Sequence, residues 1–160
     1  MAEVDLAPAV VRHSIGVRDF ALQIADNLES KGHSINRPLL ESAALLHDIM
    51  KVDAEIDHAL EGGEFLRNKG FHPVADLVEK HALNNLSNES LIPRTTEEKL
   101  LMYADLRFSS GRVVSLDERF NYIKERYGPK NPDKFHIYVD FAKKLEAEFN
   151  GQNLSSEVLR

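Results

Sequence analysis

The stretch "LLESAALLHDIMK", Leu39 to Lys51, is apolar over most of two helical turns and then sets His47 beside Asp48. Burying an uncompensated carboxylate costs several kcal/mol, roughly, so a doublet that ends a buried stripe calls for a cation. Taken alone, His47 reads equally well as a satisfied core histidine and Asp48 as a solvated helix end. Two other stripes end the same way. His13 precedes Val17 by one turn and lies within about 20° of Ile24 on the helical wheel, so it belongs to an inward face. Asp105 follows the apolar run "LLMYA". Three apolar helices that each end in His or Asp suggest one shared metal ion.

Two imidazoles and two carboxylates suit a borderline or hard divalent ion: Mn²⁺, Fe²⁺, Co²⁺ or Ni²⁺, with Zn²⁺ and Mg²⁺ also compatible. Four protein ligands on a six-coordinate ion leave two positions for water and substrate. Such a site can lower the pKa of water and polarise a phosphoryl oxygen. Lys51, one turn after His47, is spaced to reach a phosphate beside the ion. A solvated lysine at a helix C-terminus explains it equally well. Arg107 and Arg112 follow Asp105 closely, and either could grip phosphate in a fork or serve in an ion pair. The ion pair is the preferred reading for Arg112. His33, His72 and His136 have no such company and read as loop, cap or surface residues.

The elements that must position these residues read as helices almost throughout, with hardly any strand alternation. The first helix is expected from about Pro8 to Leu28, with Gly32 near its end. A second opens at Pro38 and runs to about Ile49. A third covers about Glu55 to Asn68. A fourth starts at Pro73, with Val74, Leu77, Val78 and His81 on one face. Thr95 and Glu98 have capping-box spacing before "EEKLLMYADLRF", and Ser115 and Glu118 repeat it before "LDERFNYIKERY". A last helix spans about Asp133 to Phe149. The expected fold is all-α: a compact single domain, residues 1–150, of about seven helices, with a flexible tail over 151–160.

Composition narrows the function classes. A chain of 160 residues is long enough for one domain with a sizeable core. It has no cysteine, which excludes disulfides and thiolate metal sites. No apolar run approaches the roughly 20 residues of a membrane span, and the N-terminus does not read as a secretory signal. A cytoplasmic location is therefore expected, with no membrane partner. The formal charge of −6 argues against a nucleic-acid-coating surface, although a bound cation would reverse the sign locally.

The ordered set of "HSIGVRDFALQIA", "LLHDIMK" and "YADLRF" resembles the HD-domain superfamily of metal-dependent phosphohydrolases over about residues 10–110. The resemblance implies an all-α fold in which His13, His47, Asp48 and Asp105 hold one divalent metal. It also draws in His58, from "HALEGG", and His81, from "VEKHAL". Relatives use similar residues for a second metal bridged by the doublet's Asp, or for the substrate phosphate. Two positions depart from the common pattern. Met50 stands where many relatives have Gly, and Ala82 where many have a second His, so one ligand of the fuller two-metal site is missing. The Gly-Tyr-Pro element of the cyclic-di-GMP phosphodiesterases is absent as well. The single-domain layout is similar to that of the bacterial diadenosine tetraphosphate hydrolases.

The resulting expectation is a phosphohydrolase acting on a small nucleotide or phosphorylated metabolite. In it Asp48, Lys51, His58 and His81 take part in catalysis, and Lys51, His58, His81 and Arg107 contact substrate. The competing expectations are a metal- or nucleotide-binding sensor module without turnover, and a purely structural helical domain. The last would leave Asp48 and Asp105 without a buried partner.

Overall fold

In the computed structural model, which describes residues 4–52, 57–127 and 132–150, the chain folds as an all-α domain. Seven helices and one small hairpin are present among the described residues: α1 (Pro8–Ser30), α2 (Arg37–Leu46), α3 (His58–Asn68), α4 (His72–Glu79), α5 (Thr96–Arg107), β1 (Phe108–Ser109), β2 (Arg112–Val113), α6 (Leu116–Tyr127) and α7 (Pro132–Asn150). Two short 3₁₀ turns, Leu83–Asn85 and Glu89–Leu91, carry the chain from α4 to α5. No helix among the described residues is long and apolar enough to cross a membrane. The expected start of the third helix at Glu55 and the 151–160 tail lie outside the described residues.

Helix α5 is the hub. Leu100, Leu101, Met102, Tyr103, Ala104, Leu106 and Arg107 are all buried, so the helix is enclosed on nearly every side. The buried stripe of α1 (Val17, Phe20, Ala21, Ile24, Leu28), together with Leu40 and Ala43 of α2, joins α5 in one core. Ala142, Leu145 and Phe149 of α7 complete it, and the Phe149 ring lies 5.3 Å from that of Tyr103. A smaller cluster of Ile49, Leu66, Ala75 and Val78 binds α3 and α4 to the segment after α2.

The ends of the helices follow their residues. Gly32 at φ 93° closes α1, with His33 N donating to Leu28 O and Gly32 N to Glu29 O, the pair of bonds that a left-handed glycine permits. Gly70 closes α3 in the same way. Before α5 both halves of the capping box are made: Glu98 N donates to Thr95 Oγ1 at 3.1 Å, and Thr95 N to Glu98 Oε2 at 3.1 Å. Glu98 also accepts from Lys80 Nζ at 2.9 Å, which ties the end of α4 to the start of α5. Ser115 caps Glu118 N at 3.1 Å before α6.

Two boundaries differ from the sequence reading. α2 stops at Leu46 instead of about Ile49, and α4 stops at Glu79, which leaves His81 beyond the helix instead of on its face. In both places a histidine turns back onto the helix. His47 Nδ1 donates to Ala44 O at 2.7 Å, and His81 Nδ1 to Val78 O at 2.5 Å. Each ring takes the carbonyl that the next helical turn would use, and the backbone tightens into shorter turns such as Ile49 N to Leu46 O. The hairpin was also unexpected. Two-residue strands are too short for any alternation to appear, and the local signal is Ser110-Gly111, both at positive φ (53° and 79°).

Because α5 carries Asp105, its cap bears on the site. Thr95→Ala should lower stability by about 1 kcal/mol, and Thr95→Ser should recover most of it. Urea unfolding of chelator-treated protein checks this, and an unchanged midpoint for Thr95→Ala would contradict it.

Candidate metal centre

Each candidate ligand is held by the end or start of a helix. α1 carries His13 in its second turn, and α5 carries Asp105 in its last. His47 and Asp48 follow the final residue of α2. His58 opens α3, whose N-cap Asp57 accepts from Ala59 N and Leu60 N at 3.1 Å. The fold brings His13, His47, Asp48, His58, His81 and Asp105 together, with Lys51 at the margin.

Two sets of atoms meet across Asp48. On one side, His13 Nε2 donates to Asp105 Oδ1 at 2.8 Å, and His47 Nε2 lies 3.4 Å from both Asp105 Oδ1 and Asp48 Oδ2. His13 Nε2 is 3.9 Å from the same Asp48 Oδ2. On the other side, Asp48 Oδ1 faces His58 Nε2 at 3.2 Å and His81 Nε2 at 3.6 Å. The ligand atoms of His13, His47 and Asp105 lie within 4.8 Å of one another, as do those of His47, Asp48 and His81. Lys51 Nζ stands 3.4 Å from Asp48 Oδ2 with half of its side chain in solvent.

The tautomers of the two buried histidines follow from their neighbours. A carbonyl only accepts, so the Nδ1 of His47 and of His81 each carry a proton, and in the neutral ring the lone pair is on Nε2. Both Nε2 atoms are buried and have no hydrogen-bond partner. They face carboxylate oxygens, and two lone-pair carriers at this range repel unless a proton or a cation lies between them. Backbone-locked imidazoles with bare Nε2 atoms are what a metal site needs from its histidines. Two imidazoles and two carboxylates therefore fit a borderline divalent ion, and His58 and His81 offer two more nitrogens across Asp48.

The electrostatics agree. Burial alone would push the His47 pKa down, but the carboxylates of Asp105 and Asp48 outweigh it and raise it to about 9. Burial would raise Asp48, yet His47 and the contacts from His58 and His81 hold it well below the usual carboxylate range. Asp105 is likewise held low by His47 and His13 against the effect of burial. Without a metal, a second proton on His47 offsets part of the charge of the two carboxylates.

Exposure gives the site a closed wall and an open rim. His47, Asp48 and His81 are at most 2% exposed. The side chains of His13, Asp105 and His58 reach 21%, 18% and 30%, so solvent reaches the cluster from their side.

One expected site residue is elsewhere. Arg107 is buried and committed to the core: Nε donates to Val114 O, one terminal nitrogen to Tyr103 OH, and Glu146 supplies the counter-charge. Its guanidinium is not available to a phosphate. The helical turn from Asp105 to Arg107 rotates Arg107 about 200° from the carboxylate, to the side facing α7. Arg112 pairs with Glu118, as expected. His33, His72 and His136 are exposed and lie outside the cluster. Phe108, which the sequence reading passed over, places its ring 6.0 Å from that of His13.

A family model described as HD domain matches residues 10–107. The chain is 29% identical over 135 residues to an uncharacterized protein of Methanocaldococcus jannaschii, covering 77% of this chain and 80% of that one. It is also 29% identical over 153 residues to a tRNA (cytidine(56)-2'-O)-methyltransferase of Picrophilus torridus, covering 88% of this chain but 41% of that protein. The corresponding methyltransferase of Thermoplasma volcanium is 29% identical over 121 residues, 68% of this chain and 34% of that protein. The chain thus spans less than half the length of either methyltransferase. No solved structure matches it significantly.

A pH dependence follows from His47. Its folded pKa lies above the ordinary 6.5, so the stability it contributes without metal is complete below about pH 6.5 and lost as pH rises through about 9. That contribution is on the order of 3 kcal/mol. The chelator-treated protein should melt at progressively lower temperature from pH 7 to 9.5, whereas Mn²⁺-saturated protein should not, because the ion replaces the proton. Identical pH profiles with and without Mn²⁺ would refute the exchange.

Proposed function

Because this chain belongs to the HD domain family, we propose that it is a metal-dependent phosphohydrolase acting on a small nucleotide or phosphorylated metabolite. The observation that carries the proposal is the pair of buried, unpartnered Nε2 atoms on His47 and His81, aimed at a carboxylate beside an open rim. A purely structural domain would leave the buried Nε2 of His81 without a hydrogen-bond partner, at a cost of roughly 1–3 kcal/mol.

His13, His47, Asp48 and Asp105 would hold the divalent ion. When bound, the ion supplies Lewis acidity toward a phosphoryl oxygen and lowers the pKa of an attacking water. The chain's residues do the rest. Lys51, half in solvent and 3.4 Å from Asp48, swings its ammonium onto the phosphoryl oxygens and offsets their charge. Asp48 Oδ1, facing the rim through His58, orients the water by accepting a hydrogen bond from it as the oxygen–phosphorus bond forms, and the water's proton passes to solvent. His58 gives a proton to the leaving oxygen as the old phosphorus–oxygen bond breaks. His81, fixed by Val78 O, holds His58 and substrate in register.

A second reading has the domain act on a tRNA or a tRNA-derived phosphoester. The two archaeal relatives named as tRNA methyltransferases favour it. The net charge of −6 favours the small substrate, because an extended RNA contact draws its affinity from basic side chains.

Chelator-stripped protein should regain hydrolysis of an aryl phosphate on addition of Mn²⁺, and Asp48→Asn should abolish it. A panel of nucleotides, phosphorylated metabolites and tRNA then identifies the substrate class. Metal binding without turnover of any panel member would favour a sensor module. His58→Gln should keep the first metal and lower kcat by roughly 10²–10⁴-fold, the range for a positioned acid–base group. Stoichiometric loss of that metal in His58→Gln would contradict its role as a proton donor.

A further inference from the structure

The His13–Asp105 contact joins two helices 92 residues apart in sequence, and nothing in either helix alone sets their separation. One feature at that junction is unusual. Gly16 sits on α1 one turn after His13, with an ordinary negative φ, so no backbone need explains a glycine in mid-helix, where it is unfavourable relative to alanine. The reason is the ring of Phe108. A β-carbon on Gly16 would overlap Cζ and Cε1 of that ring and stand 2.9 Å from Cδ1. The ring edge therefore rests in a notch on bare α1 backbone, while its centroid lies 6.0 Å from the His13 imidazole.

Phe108 is in turn tied to Asp105. It is the C-cap residue of α5, and its N–H donates to Asp105 O. The root of the hairpin that carries it is clamped twice: Val114 N donates to Arg107 O at 2.7 Å, and Arg107 Nε to Val114 O. Arg107 is itself held by Tyr103 and Glu146. The ring is thus the end of a stiff arm that starts in the core, passes through the residues just after Asp105 and bears on α1 just after His13.

We propose that Phe108, seated in the Gly16 notch and braced by Arg107, is the positioning device that holds Asp105 at ligand distance from His13. It would set the spacing of the metal centre without touching the ion. The inference rests on the metal-centre reading above.

Mn²⁺ affinity of chelator-stripped protein, measured by titration calorimetry well below the melting temperature, tests it, because lost packing alone changes the melting temperature but not the affinity of molecules that remain folded. Gly16→Ala should displace the ring and weaken Mn²⁺ binding by about 10–100-fold, the usual range for residues that orient metal ligands. Phe108→Ala should weaken it by at least about fivefold. The double variant should resemble Phe108→Ala, since with the ring gone the new methyl meets nothing; neighbours that act through one contact are not additive. Phe120→Ala, which empties core volume on α6, is the packing control and should leave affinity unchanged. If Gly16→Ala does not fold, Phe108→Ala against Phe120→Ala decides the matter alone. Affinities of Gly16→Ala and Phe108→Ala within twofold of the parent, or losses that multiply in the double variant, would overturn the positioning role. Absence of Mn²⁺ binding in the parent protein would instead overturn the metal-centre reading, and this inference with it.

Discussion

The structure is organised around one buried carboxylate. Asp48 is 2% exposed, yet its two oxygens face four imidazoles, and two of those imidazoles turn unpartnered Nε2 atoms toward it. An unpaired carboxylate in such a place would ionise only at a cost of several kcal/mol, roughly, and would be protonated instead. Here the positive charge is supplied from outside the carboxylate, by a proton on His47 or by an ion. Four helix ends and the turn after α2 converge on this point, so one electrostatic requirement bears on where those segments stop.

The way His47 and His81 are held shows local structure and chemistry being settled by one bond. Each Nδ1–H reaches back to a carbonyl three residues earlier. That bond ends the helix by taking its next acceptor, fixes the tautomer, and leaves Nε2 bare toward Asp48. The early ends of α2 and α4 are therefore part of the site.

The hub helix α5 divides its last turn between two tasks. Asp105 looks toward α1 and the imidazoles, whereas Arg107, two residues on, points into the core between Tyr103, Glu146 and Val114. A guanidinium that tethers three elements would lose two neutral acceptors and a counter-ion if it left for a phosphate, which is why proximity to Asp105 in sequence misled as to its role. Lys51, by contrast, keeps half of its side chain in solvent and makes one carboxylate contact.

Much of this was legible in the residues themselves. The apolar stripes before His47 and Asp105, the stripe containing His13, the capping box at Thr95, the cap at Ser115, and the glycine stop at Gly32 each follow from 3.6-residue periodicity or from backbone chemistry within a few residues. The all-α class and the identity of His13, His47, Asp48 and Asp105 as companions were therefore readable, the last with help from the ordered HD pattern. What the sequence could not decide were relations between segments far apart along the chain. Whether Arg107 faces the site or the core, how Asp48 divides its oxygens between two pairs of histidines, and why Gly16 must lack a side chain all depend on how α1, α5 and the hairpin pack. Helical periodicity states which side of a helix is buried but not what it is buried against, and only the packed structure supplies the second partner.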